Sequence, residues 1–250
     1  MAKTAQQTRS ARSAKAAQIR AAQEAKARRV RNLTVAGVVV AVLAIVVGVA
    51  YGVQSARDTS GQSSTRPANL SSDYTMTIGE PNAPVEVTIY ADFQCPACAK
   101  FEAEQGDALA TFVEAGDVRV NYRMMSFLND ASTTDYSTRA MNAFAVVLEE
   151  HGTEAAAEFH DLLFAQQPAE GTAGLSDDEL VDLAVEAGAT EDAVRPGIED
   201  LQFEQWIVNA TDQASRDGVS STPTTLVNGQ EVDPYGLDSE ISTALASSND

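Results

Sequence analysis

The feature that most limits how this chain can fold is a change of pattern around its only two cysteines, Cys95 and Cys98. The run Val85-Glu-Val-Thr-Ile-Tyr-Ala91 is β-branched and aromatic-rich and predicts a strand. Pro96 then stands where the first position of a helix falls, a place proline favours because its missing N–H would have had no intrahelical partner. That helix is expected to run to about Glu114 through Phe101, Leu109 and Phe112, and Gly116-Asp117 breaks it. Val118, Val120 and Tyr122 alternate with Arg119, Asn121 and Arg123, which predicts a second strand. A strand–helix–strand unit of this length requires a parallel crossover, so the fold class is α/β.

This placement sets the chemistry. A thiolate at a helix N-terminus faces unpaired backbone N–H groups and the positive end of the helix dipole, and both depress its pKa. Cys95 is therefore expected to be an exposed nucleophile, with Pro96 and Ala97 completing the active-site turn. Cys98, one turn further on, is the expected resolving thiol, close enough to form a redox-active disulfide with Cys95. A purely structural bridge over so short a loop adds little chain-entropy stabilisation. A zinc site needs two more Cys or His ligands, and His151 and His160 lie in another region and read as surface helix residues. No metal and no cofactor beyond the Cys95–Cys98 disulfide is expected.

Charge divides the chain of 250 residues. Residues 1–32 hold nine Lys/Arg against one acid, whereas the remainder holds eight basic groups against 35 acidic ones. So acidic a body argues against nucleic-acid or anionic-membrane binding by the folded part. Residues 33–53 contain no charged side chain and are almost all Val, Ala, Leu, Ile and Gly, long enough to cross a hydrocarbon core of about 30 Å. The basic flank puts the N-terminus in the cytoplasm and the rest outside. No good small-x-small cleavage site follows, so an uncleaved signal-anchor is expected. Residues 54–72, with six serines, read as a flexible spacer, and the folded domain is expected over 73–250.

Beyond the second strand, a helical tract is expected from about 131 to 218. Ser137–Glu150 reads as one helix, with Gly152 past its end and Thr153 capping the next. Ser176-Asp-Asp-Glu179 is a capping box. Phe203, Trp206, Ile207, Ala210 and Ala214 form the apolar stripe of the last helix in the tract. Ser221-Thr-Pro-Thr-Thr-Leu-Val-Asn-Gly-Gln-Glu-Val232 then predicts two short strands joined at Asn228-Gly229. A helix from about Leu237 to Ala246 closes the chain.

Over residues 73–250 this order of elements resembles the DsbA-like branch of the thioredoxin superfamily. The resemblance rests on Asp-Phe-Gln-Cys-Pro-Ala-Cys98 and on Ser-Thr-Pro-Thr-Thr-Leu-Val-Asn-Gly229. It implies a thioredoxin-like fold with a helical insertion, preceded here by one transmembrane helix. It implies that Thr222–Pro223 is cis, packs against the cysteine pair and positions substrate. The activity implied is extracytoplasmic protein-disulfide oxidoreduction, with cysteine-containing exported proteins as clients and a membrane quinone-linked thiol oxidase as electron partner. Strongly oxidising members usually place His before the second cysteine, where this chain has Ala97, and a buried acid six residues before the first, where it has Ile89. Losing about 1.4 kcal/mol of thiolate stabilisation lowers the potential of a two-electron couple by about 30 mV. Cys95 is thus expected to be acidic through the helix terminus alone and the oxidant to be moderate. Alternatives on the same residues are a reductase or isomerase, and a Cu(I) chaperone using Cys95 and Cys98 with Met124 or Met125.

Overall fold

The structure, a computed structural model, describes Gly48, residues 64–68, Leu70 and residues 74–248. The basic segment 1–32, the apolar stretch 33–53 apart from Gly48, and most of the serine-rich stretch 54–72 lie outside the described residues. Among the described residues no helix is long and apolar enough to cross a membrane.

Five strands form one sheet in the order β1-β3-β2-β4-β5, with β1 Met76–Ile78, β2 Val85–Ala91, β3 Val118–Met124, β4 Thr224–Val227 and β5 Gln230–Val232. β2 pairs in parallel with β3 from Val85↔Val118 to Ala91↔Met124, as the crossover through α1 (Pro96–Glu114) demands. Its other edge pairs antiparallel with β4, from Val87↔Val227 to Tyr90↔Thr224. β2 is therefore covered on both edges. β3 alternates as its sequence does, burying Val118, Val120, Tyr122 and Met124 and leaving Arg119, Asn121 and Arg123 half-exposed. Asn228 and Gly229 both take positive φ, +48° and +78°, the backbone that a two-residue hairpin between β4 and β5 requires.

The helical insertion comprises α2 Tyr136–Ala165, α3 Asp177–Glu186, α4 Glu191–Glu199 and α5 Glu204–Arg216; α6 Leu237–Ser248 follows the hairpin. α2 is interrupted at Gly152, where φ is +80° and ψ −171°, so it is the two helices expected on either side of this glycine, meeting at a kink. From Ala140 to Leu148 every residue of α2 is buried, as a helix enclosed by others must be. Asn142 is the polar exception in this stretch. Its Nδ2 donates to the Gly197 carbonyl at 2.9 Å, and its Oδ1 accepts the Phe203 N–H at 2.9 Å, tying α2 to the junction of α4 and α5. The capping box at Ser176 and Glu179 is formed, and the whole apolar stripe of α5 is buried.

Two expectations are corrected. His160 is 2% exposed, not a surface residue; the bend at Gly152 turns its face of α2 toward Tyr122 and Phe93, whose rings lie 4.6 and 5.8 Å from the imidazole. Part of the stretch read as a spacer is docked on the domain. Leu70 is buried in the main core, and Ser64 Oγ accepts from Asn209 Nδ2 at 3.2 Å.

The backbone at Gly152 lies in a region that only glycine occupies comfortably, and a Cβ there would meet nothing within 4 Å. Gly152→Ala is therefore expected to cost about 1–3 kcal/mol through backbone strain alone, measured as a lower urea midpoint at unchanged slope.

Candidate active site

β2 carries the chain to the site and stops at Ala91. Asp92, Phe93 and Gln94 then turn it into α1, with Cys95 as the N-cap residue in extended conformation and Pro96 in the first turn. The Cys95 N–H donates to the Asp92 carbonyl at 3.0 Å, and the Cys95 carbonyl accepts from the N–H groups of Cys98 and Ala99 at 3.0 and 3.2 Å. The turn is thereby locked to the first helical hydrogen bonds.

Side chains of the turn itself, Asp92 and Gln94, and Gln167 from beyond α2 brace it. The Asp92 carboxylate, fully buried, accepts from Gln94 N–H at 2.8 Å, from Leu128 N–H at 2.8 Å and from Ser137 Oγ–H at 2.7 Å. Burial pushes its pKa up, and those hydrogen bonds oppose the shift. Gln167, just past α2, donates from Nε2 to the carbonyls of both Phe93 and Cys95 at 2.9 Å. Gln94 answers by donating from Nε2 to Pro168 O at 3.2 Å. The cysteine turn is thus clamped between the β3–α2 connection, the start of α2 and the segment that leaves it.

The opposite wall comes from the register of β4. Thr224 lies beside Tyr90, so the residues just before it reach the same end of the sheet as Cys95. The Thr222–Pro223 peptide is cis, and the Cys95 thiol donates to the Thr222 carbonyl at 3.4 Å. Tyr235 closes a third side, donating its hydroxyl to Ala97 O at 3.3 Å. Lys100 lies over the Tyr235 ring at 3.9 Å and pairs with Glu104 at 3.4 Å, so it is occupied away from the sulfurs.

The two thiols are pushed in opposite directions. The Cys95 pKa falls to about 6, first through a hydrogen bond from the Cys98 thiol, with smaller help from Thr222 and from the N–H groups of Cys98 and Ala97, against the opposing effect of burial. Cys98 is pushed far up, because it is the donor in that hydrogen bond, is buried and faces the Cys95 charge. Two expectations change here. Cys95 is 6% exposed, a recessed sulfur under Thr222 rather than an open one. Its acidity comes first from its partner thiol, and the helix-terminal amides are secondary.

Cys95, Pro96, Ala97, Cys98, Thr222 and Pro223, the six positions singled out in sequence, form one continuous site. The braces Asp92, Gln167 and Tyr235 were missed. Asp92 lies inside the cysteine motif but looks like any turn acid; Gln167 and Tyr235 lie 72 and 140 residues from Cys95 in an ordinary polar setting. Among the described residues no three His, Cys, Asp or Glu side chains come together as metal ligands.

The thioredoxin family model matches residues 71–246. The chain belongs to the thioredoxin family. A solved structure of reduced DsbA from Mycobacterium tuberculosis is similar at 28% identity and a TM-score of 0.59, over 70% of this chain and 97% of that one. Disulfide bond formation protein D of Bacillus subtilis is 25% identical over 170 residues, 67% of this chain and 74% of that protein. The serine/threonine-protein kinase PknE of M. tuberculosis is 29% identical over 153 residues, 58% of this chain, but the match spans only 27% of the kinase. The likeness to DsbA and to protein D places the chain among DsbA-like protein-disulfide oxidoreductases.

Two measurements probe the site. Alkylation of the reduced protein by iodoacetamide should rise with a midpoint near pH 6, where the Cys95 thiolate forms. Cys98→Ala should move that midpoint upward, and Cys98→Ser, whose hydroxyl still donates, should recover most of the shift. Asp92→Ala leaves the donors of Gln94, Leu128 and Ser137 without their acceptor, two of these bonds being buried, and is expected to cost about 2–5 kcal/mol in urea unfolding.

Proposed function

We propose that this chain is an extracytoplasmic dithiol oxidase that introduces disulfides into exported proteins through the Cys95–Cys98 couple. The observation that carries the proposal is the asymmetry of the two sulfurs, with Cys95 low and Cys98 high.

In the oxidising direction a client thiolate attacks Cys95 Sγ, the Cys95–Cys98 bond breaks, and Cys98 leaves and takes up a proton. The client's second thiolate then attacks its own sulfur in the mixed disulfide and expels Cys95. Two electrons pass from the client dithiol to the enzyme disulfide, and the client leaves oxidised. The second step depends on how good a leaving group Cys95 is, and a thiol with a pKa near 6 leaves readily. The competing escape, attack by Cys98 on the mixed disulfide, returns a reduced client. It needs the Cys98 thiolate, which burial and the Cys95 charge disfavour. The backbone of Thr222, beside Cys95, offers an edge for an extended client segment, as strand addition uses elsewhere.

Location follows from sequence. The uncharged stretch 33–53 behind a basic flank suits a signal-anchor with the domain outside, in a compartment where disulfides persist. The couple must then be reoxidised at the membrane, and a quinone-linked thiol oxidase is the class of partner that accepts its two electrons.

The deciding experiment is the reduction potential of the full chain in a glutathione series. A value near or above about −180 mV is expected of an oxidase; a value near −270 mV would make the same site a reductase.

A further inference from the structure

Of the side chains that brace the cysteine turn, only Tyr235 donates to a peptide group whose N–H serves a sulfur. Gln167 donates to the carbonyls of Phe93 and Cys95. The first belongs to the peptide that ends in the Gln94 N–H, which is spent on Asp92. The second belongs to the peptide that ends in Pro96, which has no N–H. The Tyr235 hydroxyl donates to Ala97 O at 3.3 Å. A carbonyl can only accept, so the direction of this bond is fixed, and its two lone pairs take the hydroxyl beside a helical partner. The other end of that same peptide is the Cys98 N–H. With Cys95 as the N-cap residue and Pro96 first in the helix, Cys98 is the third helical residue, whose N–H an N-cap side chain faces. It is one of the amides that hold the Cys95 thiolate.

Tyr235 is itself held in place. It lies in the short 3-10 turn Pro234–Gly236, where the Asp233 carboxylate accepts the Tyr235 N–H at 3.1 Å and Asp233 O accepts the Gly236 N–H at 3.1 Å. Lys100 Nζ lies 3.9 Å from the centre of the Tyr235 ring and 3.4 Å from Glu104. A cation over the face of a phenol draws on the electrons of the ring and makes its hydroxyl a better donor. Hydrogen bonds in series polarise one another, so a stronger donor at a carbonyl oxygen makes the N–H at the other end of that peptide a stronger donor in turn. The series here runs from Lys100 through the Tyr235 ring and hydroxyl to the Ala97 carbonyl and the Cys98 N–H, and it ends at Cys95 Sγ. Lys100 is turned away from the sulfurs, yet its charge has a route to one of them.

We propose that Tyr235 is a positioning residue for the Cys95 thiolate. Its hydroxyl orients and polarises the Ala97–Cys98 peptide, so that the Cys98 N–H stays directed at the sulfur, and Lys100 strengthens that hydroxyl as a donor. This role rests on Cys95 being the reactive sulfur and holds whichever way the couple runs.

The test is the pH dependence of iodoacetamide alkylation of the reduced full chain, in the wild type, Tyr235→Phe, Lys100→Met and the double variant. Tyr235→Phe removes one oxygen from a residue 38% exposed and keeps the ring that Lys100 covers, so the urea midpoint should stay where it is. The alkylation midpoint should rise by about 0.3 of a pH unit, the size of a cooperative strengthening of roughly 10–30% in one charge-assisted bond. Lys100→Met should raise it by less, and should add almost nothing in the Tyr235→Phe background, because its effect travels through the missing hydroxyl. An unmoved or lowered midpoint in Tyr235→Phe overturns the proposal. So does a Lys100→Met shift of equal size with and without the hydroxyl, which would make Lys100 a direct electrostatic influence. A wild-type chain with no midpoint near pH 6 fails earlier, at the assignment of Cys95 itself, and takes this role with it.

Discussion

Everything at the catalytic end depends on β2 being paired along both edges. Its parallel register with β3 places Met124 beside Ala91, so the chain leaving β3 passes the cysteine turn and delivers Met125 N–H to Ala91 O at 2.8 Å. Its antiparallel register with β4 places Thr224 beside Tyr90 and Thr222 at the Cys95 sulfur. A slip of one residue in either ladder would invert every inward-facing side chain of the moving strand. Because Val85, Val87 and Ile89 are fully buried, such a slip is costly, and the sulfur geometry is fixed by core packing some distance from it.

The helical insertion is joined to that frame by polar contacts as well as by apolar packing. Asp92 reaches Ser137 at the start of α2, while Gln167 and Pro168 beyond its end hold Phe93, Gln94 and Cys95. The start and the end of α2 converge on one turn because the span is kinked at Gly152. The buried Asp92 carboxylate depends on donors from Leu128 and Ser137, so the insertion stabilises the cysteine turn. Phe93 reinforces the coupling from the apolar side, its ring 5.1 Å from Phe164 and 5.7 Å from Phe144.

Local sequence was a good guide wherever the physics is local. The β-branched run, the proline after Cys95, the capping box and Asn228-Gly229 each act through a neighbour a few residues away, and each forms as its chemistry dictates. The cysteine pair was legible for the same reason, whereas the role of Thr222–Pro223 came from the resemblance to the DsbA-like branch. What was illegible depends on chain bends and on contacts without a pattern. His160 beside Asp161 in a helix reads as an exposed polar face, and only the turn at Gly152 sends it inward. Leu70 is a single apolar residue among serines, with no periodicity to mark it as core. Gln167 is one of many polar residues at a helix end, and its partners are backbone carbonyls, which carry no sequence signature.

The opposed acidities of the two cysteines follow from three residues of separation on one helix. At the N-cap, Cys95 has the amides of Ala97 and Cys98 directed toward it and a partner thiol to donate a hydrogen bond. One turn inward, Cys98 has lost the free amides, because N–H groups from the second turn onward are spent on the helix itself. It is also fully buried. The donor that stabilises the Cys95 thiolate is the same proton that Cys98 must lose to become a nucleophile, so each shift reinforces the other. A dithiol arranged in this way favours the state in which one sulfur is charged and the other holds its proton. That state is reached by accepting two electrons, and this is the physical ground of the oxidising direction proposed above.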